Sequence, residues 1–179
     1  MKRCCLLLLS MLLMLTLCGC QSGSGEAGTV PLEEVPLADR FTTSASIRYE
    51  GFEMVAEVDR DRPGHYVIEL MQPESLAGMR LDLSEEQVSI TYKGITADFD
   101  PDSIAGSAIA RGLVGTLNAI AAEQGISATL ADGVFTLAGE NEMGAFTLTL
   151  DAESGSLLAL SVPERELEIT FSNFLAHDA

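Results

Sequence analysis

From Phe41 onward, with a single interruption, apolar and polar residues alternate with a period of two. Ala45, Ile47 and Tyr49 alternate with Ser44, Ser46 and Arg48. Phe52, Met54, Ala56 and Val58 alternate with Glu53, Glu57 and Asp59, and only Val55 breaks the polar side. Tyr66, Ile68 and Leu70 form a further inward set, followed by Met79, Leu81 and Leu83, by Val88, Ile90 and Tyr92, and by Ile95, Ala97 and Phe99. Successive side chains of a strand point to opposite faces, so each run reads as a half-buried strand. The links are short and rich in turn residues, as in Arg60-Asp-Arg-Pro-Gly64, which favours antiparallel hairpins.

The interruption starts at Asp100-Pro101-Asp102-Ser103, a proline stop followed by a capping side chain. Ile104 to Gln124 then contains no proline and no alternation, and Gly125 ends it. At 100° per residue Ile109, Leu113, Leu117 and Ile120 share one face. Ala108, Gly112, Gly115, Ala119 and Ala122 occupy the other, and Arg111 is the only charge before Glu123. A helix so poor in charge is expected to pack its apolar face on the sheet. Its small-residue face is free to admit another element, or a ligand, at close range. Strands resume through Leu130, the turn Asp132-Gly133, Phe135, Leu137, Phe146 to Leu150, Leu158 to Val162 and Leu167 to Phe171. The expectation is a mainly β, α+β domain of roughly nine or ten strands with one long helix.

The N-terminus says where such a domain works. Lys2 and Arg3 precede an apolar stretch from Cys4 to Leu17, and Leu17-Cys18-Gly19-Cys20 closes it. That order reads as a secretory signal. Its ending resembles a bacterial lipobox, which implies cleavage after residue 19 and a diacylglycerol thioether on Cys20. The apolar run, about 15 residues, is short of the roughly 20 that a spanning helix needs. Residues 1–19 are therefore expected to leave as a signal peptide, with 20–37 a lipidated cysteine and flexible tether and 38–179 the folded domain. Gly and Ser in Gln21–Gly25 loosen the tether, and Pro31 and Pro36 stiffen it. Of the four cysteines only Cys20 would remain, so no disulfide can form within the mature chain and the fold must hold by its core.

Removing Lys2 and Arg3 leaves 8 basic residues against 27 acidic ones, a net charge of −19, with Lys93 the only lysine. That balance excludes nucleic acid as a partner, because phosphate contacts need clustered Lys and Arg. It also disfavours docking on anionic headgroups, so acyl chains on Cys20 are what would hold the protein to the extracytoplasmic face of its membrane.

The order of elements, with Tyr49-Glu50-Gly51, the Pro73 segment before Gly78-Met-Arg-Leu81, Asp151-Ala-Glu-Ser-Gly155 and Ile169-Thr-Phe-Ser-Asn-Phe174, resembles the LolA/LolB/LppX-like lipoprotein carriers over about Phe41 to Phe174. The resemblance implies a strongly curved antiparallel sheet, an incomplete barrel, with the helix over its concave face. It further implies an apolar cavity between them for lipid or acyl chains. The residues expected to line that cavity are Met54, Ile68, Leu81, Ile90, Leu113 and Leu117. The same stripes could instead fill one another as a closed core. A longer amphipathic N-terminal helix is usual in the group, and Pro31 and Pro36 leave little room for it here. Clostridial relatives of the GerS type imply a second role, an interaction module that positions or stabilises another envelope protein.

Catalytic material is scarce. His65 and His177 are the only histidines, with no cysteine to join them, and both are expected to face solvent. Asp98, Asp100 and Asp102 have the spacing that opens a calcium loop, but Ser103 stands where such a loop needs Gly and Ile109 where it needs Glu. The expectation is a non-enzymatic protein with no metal and no cofactor.

Overall fold

The computed structural model describes residues 28–84, 87–100, 108–122 and 125–177, with backbone alone for 108–111. Among these residues twelve strands and one α-helix follow in chain order: β1 Gly28–Val30, β2 Phe41–Tyr49, β3 Phe52–Arg62, β4 His65–Gln72, β5 Arg80–Leu83, β6 Val88–Tyr92, β7 Ile95–Phe99, α1 Ala108–Ala121, β8 Ser127–Ala131, β9 Val134–Asn141, β10 Gly144–Asp151, β11 Leu157–Val162 and β12 Leu167–Ala176. The count exceeds the nine or ten expected. Runs as short as β6, β7 and β8 each stand as separate strands, and β1 adds one in a stretch expected to be tether. The ends of the expected helix over 104–124 lie outside the described residues, as do Cys20 and residues 1–27.

All twelve strands form one antiparallel sheet in the order β1-β8-β9-β10-β11-β12-β2-β3-β4-β5-β6-β7. Three of its hairpins, β2–β3, β6–β7 and β8–β9, turn on Glu50-Gly51, Lys93-Gly94 and Asp132-Gly133 with both residues at positive φ. That turn type matches the right-handed strand twist, and glycine takes its second position without steric cost. The last strand returns to mid-sheet, where β12 pairs β2 through Ile169 opposite Ile47. The connection from β7 to β8 carries the chain from one edge of the sheet almost to the other, and α1 lies on that path.

The sheet wraps around α1. Asn141 of β9 donates from Nδ2 to Thr116 Oγ1 at 3.1 Å, while Tyr66 of β4 donates to Asn118 Oδ1 at 3.3 Å. Thr116 and Asn118 point about 200° apart around the helix. The strands they reach are six positions apart in the sheet, about 29 Å if it were flat. Both bonds can be made only if the sheet curls around the helix, so the resemblance's curved sheet with a covering helix is the architecture present. The sheet stays open, since β1 and β7 do not pair.

Leu113, Leu117 and Ile120 are buried in the core with Phe41, Ile47, Leu137, Leu148, Leu150, Leu160, Leu167 and Ile169. The small-residue face of the helix also serves the sheet. A Cβ on Gly112 would stand 2.4 Å from Leu167 Cδ2, so glycine is what lets the helix sit this low over β12. Residues 28–37, expected to be flexible, fold. β1 pairs β8, Leu32–Glu34 form a 3-10 turn, and Val30, Leu32, Val35 and Leu37 pack against the core. Their apolar side chains have core surface within reach, and burying them offsets the entropy of ordering the strap.

Candidate ligand-binding face

The inner face of β5, β6 and β7, here called the wing, continues the core beyond the strands next to α1. Register places residues in rows across it. One row runs Val58–Ile68–Leu81–Ile90–Ala97. Next to it runs Phe41–Arg60–Tyr66–Leu83–Val88–Phe99. Directly opposed residues share a face, so each row is a continuous track of side chains.

Burial declines along these tracks toward the sheet edge. In the first row Ile68 is 3% exposed, Leu81 and Ile90 are half-buried and Ala97 is exposed. In the second Leu83 and Val88 stay buried and the edge residue Phe99 opens to 39%, while Ile95, one row over opposite Tyr92, is 74% exposed. Of the six residues expected to line a cavity, Ile68, Leu81 and Ile90 are therefore immediate neighbours. Leu113 and Leu117 are fully enclosed beneath the helix and fill the core. Met54 is half-buried two rows farther along β3, beside the exposed Phe52.

One charged side chain stands in this apolar interior. Arg60 is 1% exposed and lies between its cross-strand neighbours Phe41 and Tyr66, with its guanidinium carbon 6.0 Å and 5.6 Å from their ring centres. It donates from Nη1 to the Ala38 carbonyl at 3.2 Å, and its Nε has no hydrogen-bond partner. Among the described residues no carboxylate comes within ion-pair distance of it. Burial pushes the neighbouring Tyr66 hydroxyl up to about 12, with the Arg60 charge opposing the shift. Reading the sequence, Arg60 falls into the Arg60–Gly64 turn. β3 in fact runs on to Arg62, and Arg60 is the fifth inward position after Phe52, Met54, Ala56 and Val58. That parity was the available signal.

The outer face is polar. A depression of about 360 Å³ lies among Ser46, Arg48, Glu53, Gln72, Glu168 and Thr170, and one of about 280 Å³ among Glu57, Asp59, Glu69 and Arg80. Neither touches the expected cavity residues other than Met54. His65, expected to face solvent, is held between carboxylates. Its Nδ1 lies 2.6 Å from Asp61 Oδ1 and its Nε2 2.9 Å from Asp82 Oδ1, joining β3, β4 and β5. His177 lies with Nε2 2.8 Å from Thr42 Oγ1. Asp98 accepts a bond from Ser89, and Asp102 lies outside the described residues.

No family model matches the chain, and no curated protein matches it. Solved structures do. An uncharacterised conserved protein from Thermus thermophilus aligns at 14% identity over 83% of this chain and 86% of its own, with a TM-score of 0.51. A LolA superfamily protein from Nitrosomonas europaea aligns at 8% identity over 83% and 92%, TM-score 0.45. A DUF1329 family protein from Desulfovibrio piger aligns at 11% identity over 82% and 89%, TM-score 0.48. At these identities likeness concerns the fold alone, and the two scores below 0.5 support no further argument. The curved antiparallel sheet around a helix expected from the sequence is the architecture this chain has.

Proposed function

We propose that this chain is a lipoprotein, anchored by acyl groups on Cys20 at the extracytoplasmic face of the membrane, that binds a lipid or acyl chain on the inner face of its sheet beside the helix. The observation that supports this reading most is the graded exposure of the wing. An inner face that is sealed at Ile68 opens through Leu81 and Ile90 to Phe99 and Ile95 without becoming polar. Apolar surface left open on an inward-curving sheet gains about 0.8 kcal/mol for each CH₂ it buries. The reading needs no catalytic residue, metal or cofactor. Full-length chain carrying Cys20→Ser, purified without added lipid, should carry co-purifying lipid detectable by mass spectrometry and should take up a fluorescent fatty acid. Absence of both would refute it.

A second reading, an interaction module for another envelope protein, is favoured by β7. It ends the sheet, and among the described residues its outer edge pairs with no strand. An open edge accepts an added strand through main-chain bonds. Specific capture of one envelope protein by lipid-free material, abolished by a proline at Ala97, would favour this reading over the first.

A further inference from the structure

We propose that Arg60 receives the anionic head, carboxylate or phosphate, of a single-chain amphiphile whose tail lies over Ile68, Leu81 and Ile90 toward Phe99. This rests on the lipid-binding reading above and specifies its ligand class. A guanidinium removed from water needs anionic or full hydrogen-bonding compensation. Among the described residues Arg60 has two aromatic neighbours and one carbonyl, and its Nε has no acceptor. An oxygen anion at Nε would supply both the missing bond and the missing charge, and charge-assisted bonds of this kind are strong and directional.

Position fits the chemistry. Arg60 sits in the row that ends at the exposed Phe99, four strand spacings away, about 19 Å. That is the span of an acyl chain of ordinary length. The neighbouring row offers only apolar side chains from Val58 to Ala97, so a tail laid along it meets no polar group. A head at Arg60 and a tail leaving across the wing use the buried and the open ends of the same face. The hydroxyl or ester oxygen of a neutral lipid can accept from Nε but leaves the guanidinium charge uncompensated, so the site discriminates by charge.

Photoreactive analogues of palmitic acid, hexadecyl phosphate and hexadecanol, added in turn to the full-length protein, test this. Label is then mapped to peptides of β4–β7. The expected result is at least tenfold more labelling by one or both anions than by the alcohol. Arg60→Met should lose that ratio, and Arg60→Lys should keep most of it. Equal labelling by anions and alcohol in the unmodified protein overturns the proposal while leaving lipid binding intact. A preference that persists in Arg60→Met overturns it too. No labelling of the wing by any analogue removes the lipid-binding reading and this one with it. The comparison within the unmodified protein decides the matter even where a variant fails to fold.

Discussion

At the scale of single residues, hydrogen-bond geometry assigns roles that composition could not. His65 faces an acceptor oxygen at each ring nitrogen, from Asp61 on β3 and Asp82 on β5, so it bridges three strands. Slight burial of Asp61 acts against its ionisation. The His65 bond and the charges of His65 and Arg62 outweigh it and hold the carboxyl below the usual carboxylate range. Its folded pKa is thus below its unfolded one. The stabilisation is present above the ordinary value, about 4, and is lost as pH falls through the depressed value. His65→Ala should lower the denaturant midpoint by an amount equivalent to about 1 kcal/mol near neutrality and flatten the acid limb of the stability profile. An unchanged acid limb would show that the bridge contributes nothing. Tyr66 shows the opposite sign. Its folded pKa is raised to about 12, so its contribution is complete below the ordinary tyrosine value of about 10 and fades as pH rises through 12. Ultraviolet titration should find one of the three tyrosines ionising last, near 12, and Tyr66→Phe should remove that step.

At the scale of elements, the helix and the sheet constrain each other through two glycines with different surroundings. A Cβ at Gly112 meets Leu167 Cδ2 at 2.4 Å in a closed core, whereas one at Gly115 meets only Asn141 Nδ2 at 3.7 Å. Gly→Ala in a helix interior gains up to about 1 kcal/mol from propensity. Overpacking a core costs about 1–3 kcal/mol. Gly115→Ala is therefore expected to raise the melting temperature and Gly112→Ala to lower it. Matching shifts in the same direction would refute the close approach. The alternation that revealed the strands is strong because nearly every strand is buried on one face only. What alternation could not reveal is that Arg60 lies inside. A charge beside a Pro-Gly turn looks like turn material until the end of β3 is known. The strap at 28–37 escaped for a related reason: four apolar residues spaced among prolines and acids carry no period.

For the whole molecule, the net charge agrees with the proposed anchor. With 27 acidic residues against 10 basic ones, surface electrostatics would repel an anionic bilayer, and lipidation is the attachment consistent with that balance. Cys20→Ser should move the protein out of the membrane fraction, or leave it unprocessed, and abolish metabolic labelling by palmitate. Membrane retention at mature size in that variant would defeat the anchoring proposal. In the proposed anchored form seven residues, 21–27, separate Cys20 from β1, so the β1–β8 edge is the part of the sheet nearest the anchor along the chain.

The sequence by itself determined the periods, and with them the elements. Alternation dictates strands, a charge-poor non-alternating stretch dictates one helix, and glycine-bearing pairs dictate tight hairpins, because each depends on chemistry within a few residues. It also places all four cysteines within the first 20 residues, so no disulfide can link one strand of the sheet to another. Only the tertiary structure decided which inward residues are sealed and which stay open. Leu117 and Leu81 look alike in the sequence, yet α1 and the curled sheet enclose the first, while the wing leaves the second half-uncovered. The same curl brought Arg60 into an apolar interior where, among the described residues, no carboxylate pairs with it. Burial is a property of surfaces meeting across the whole sheet, and local pattern does not encode where that meeting ends.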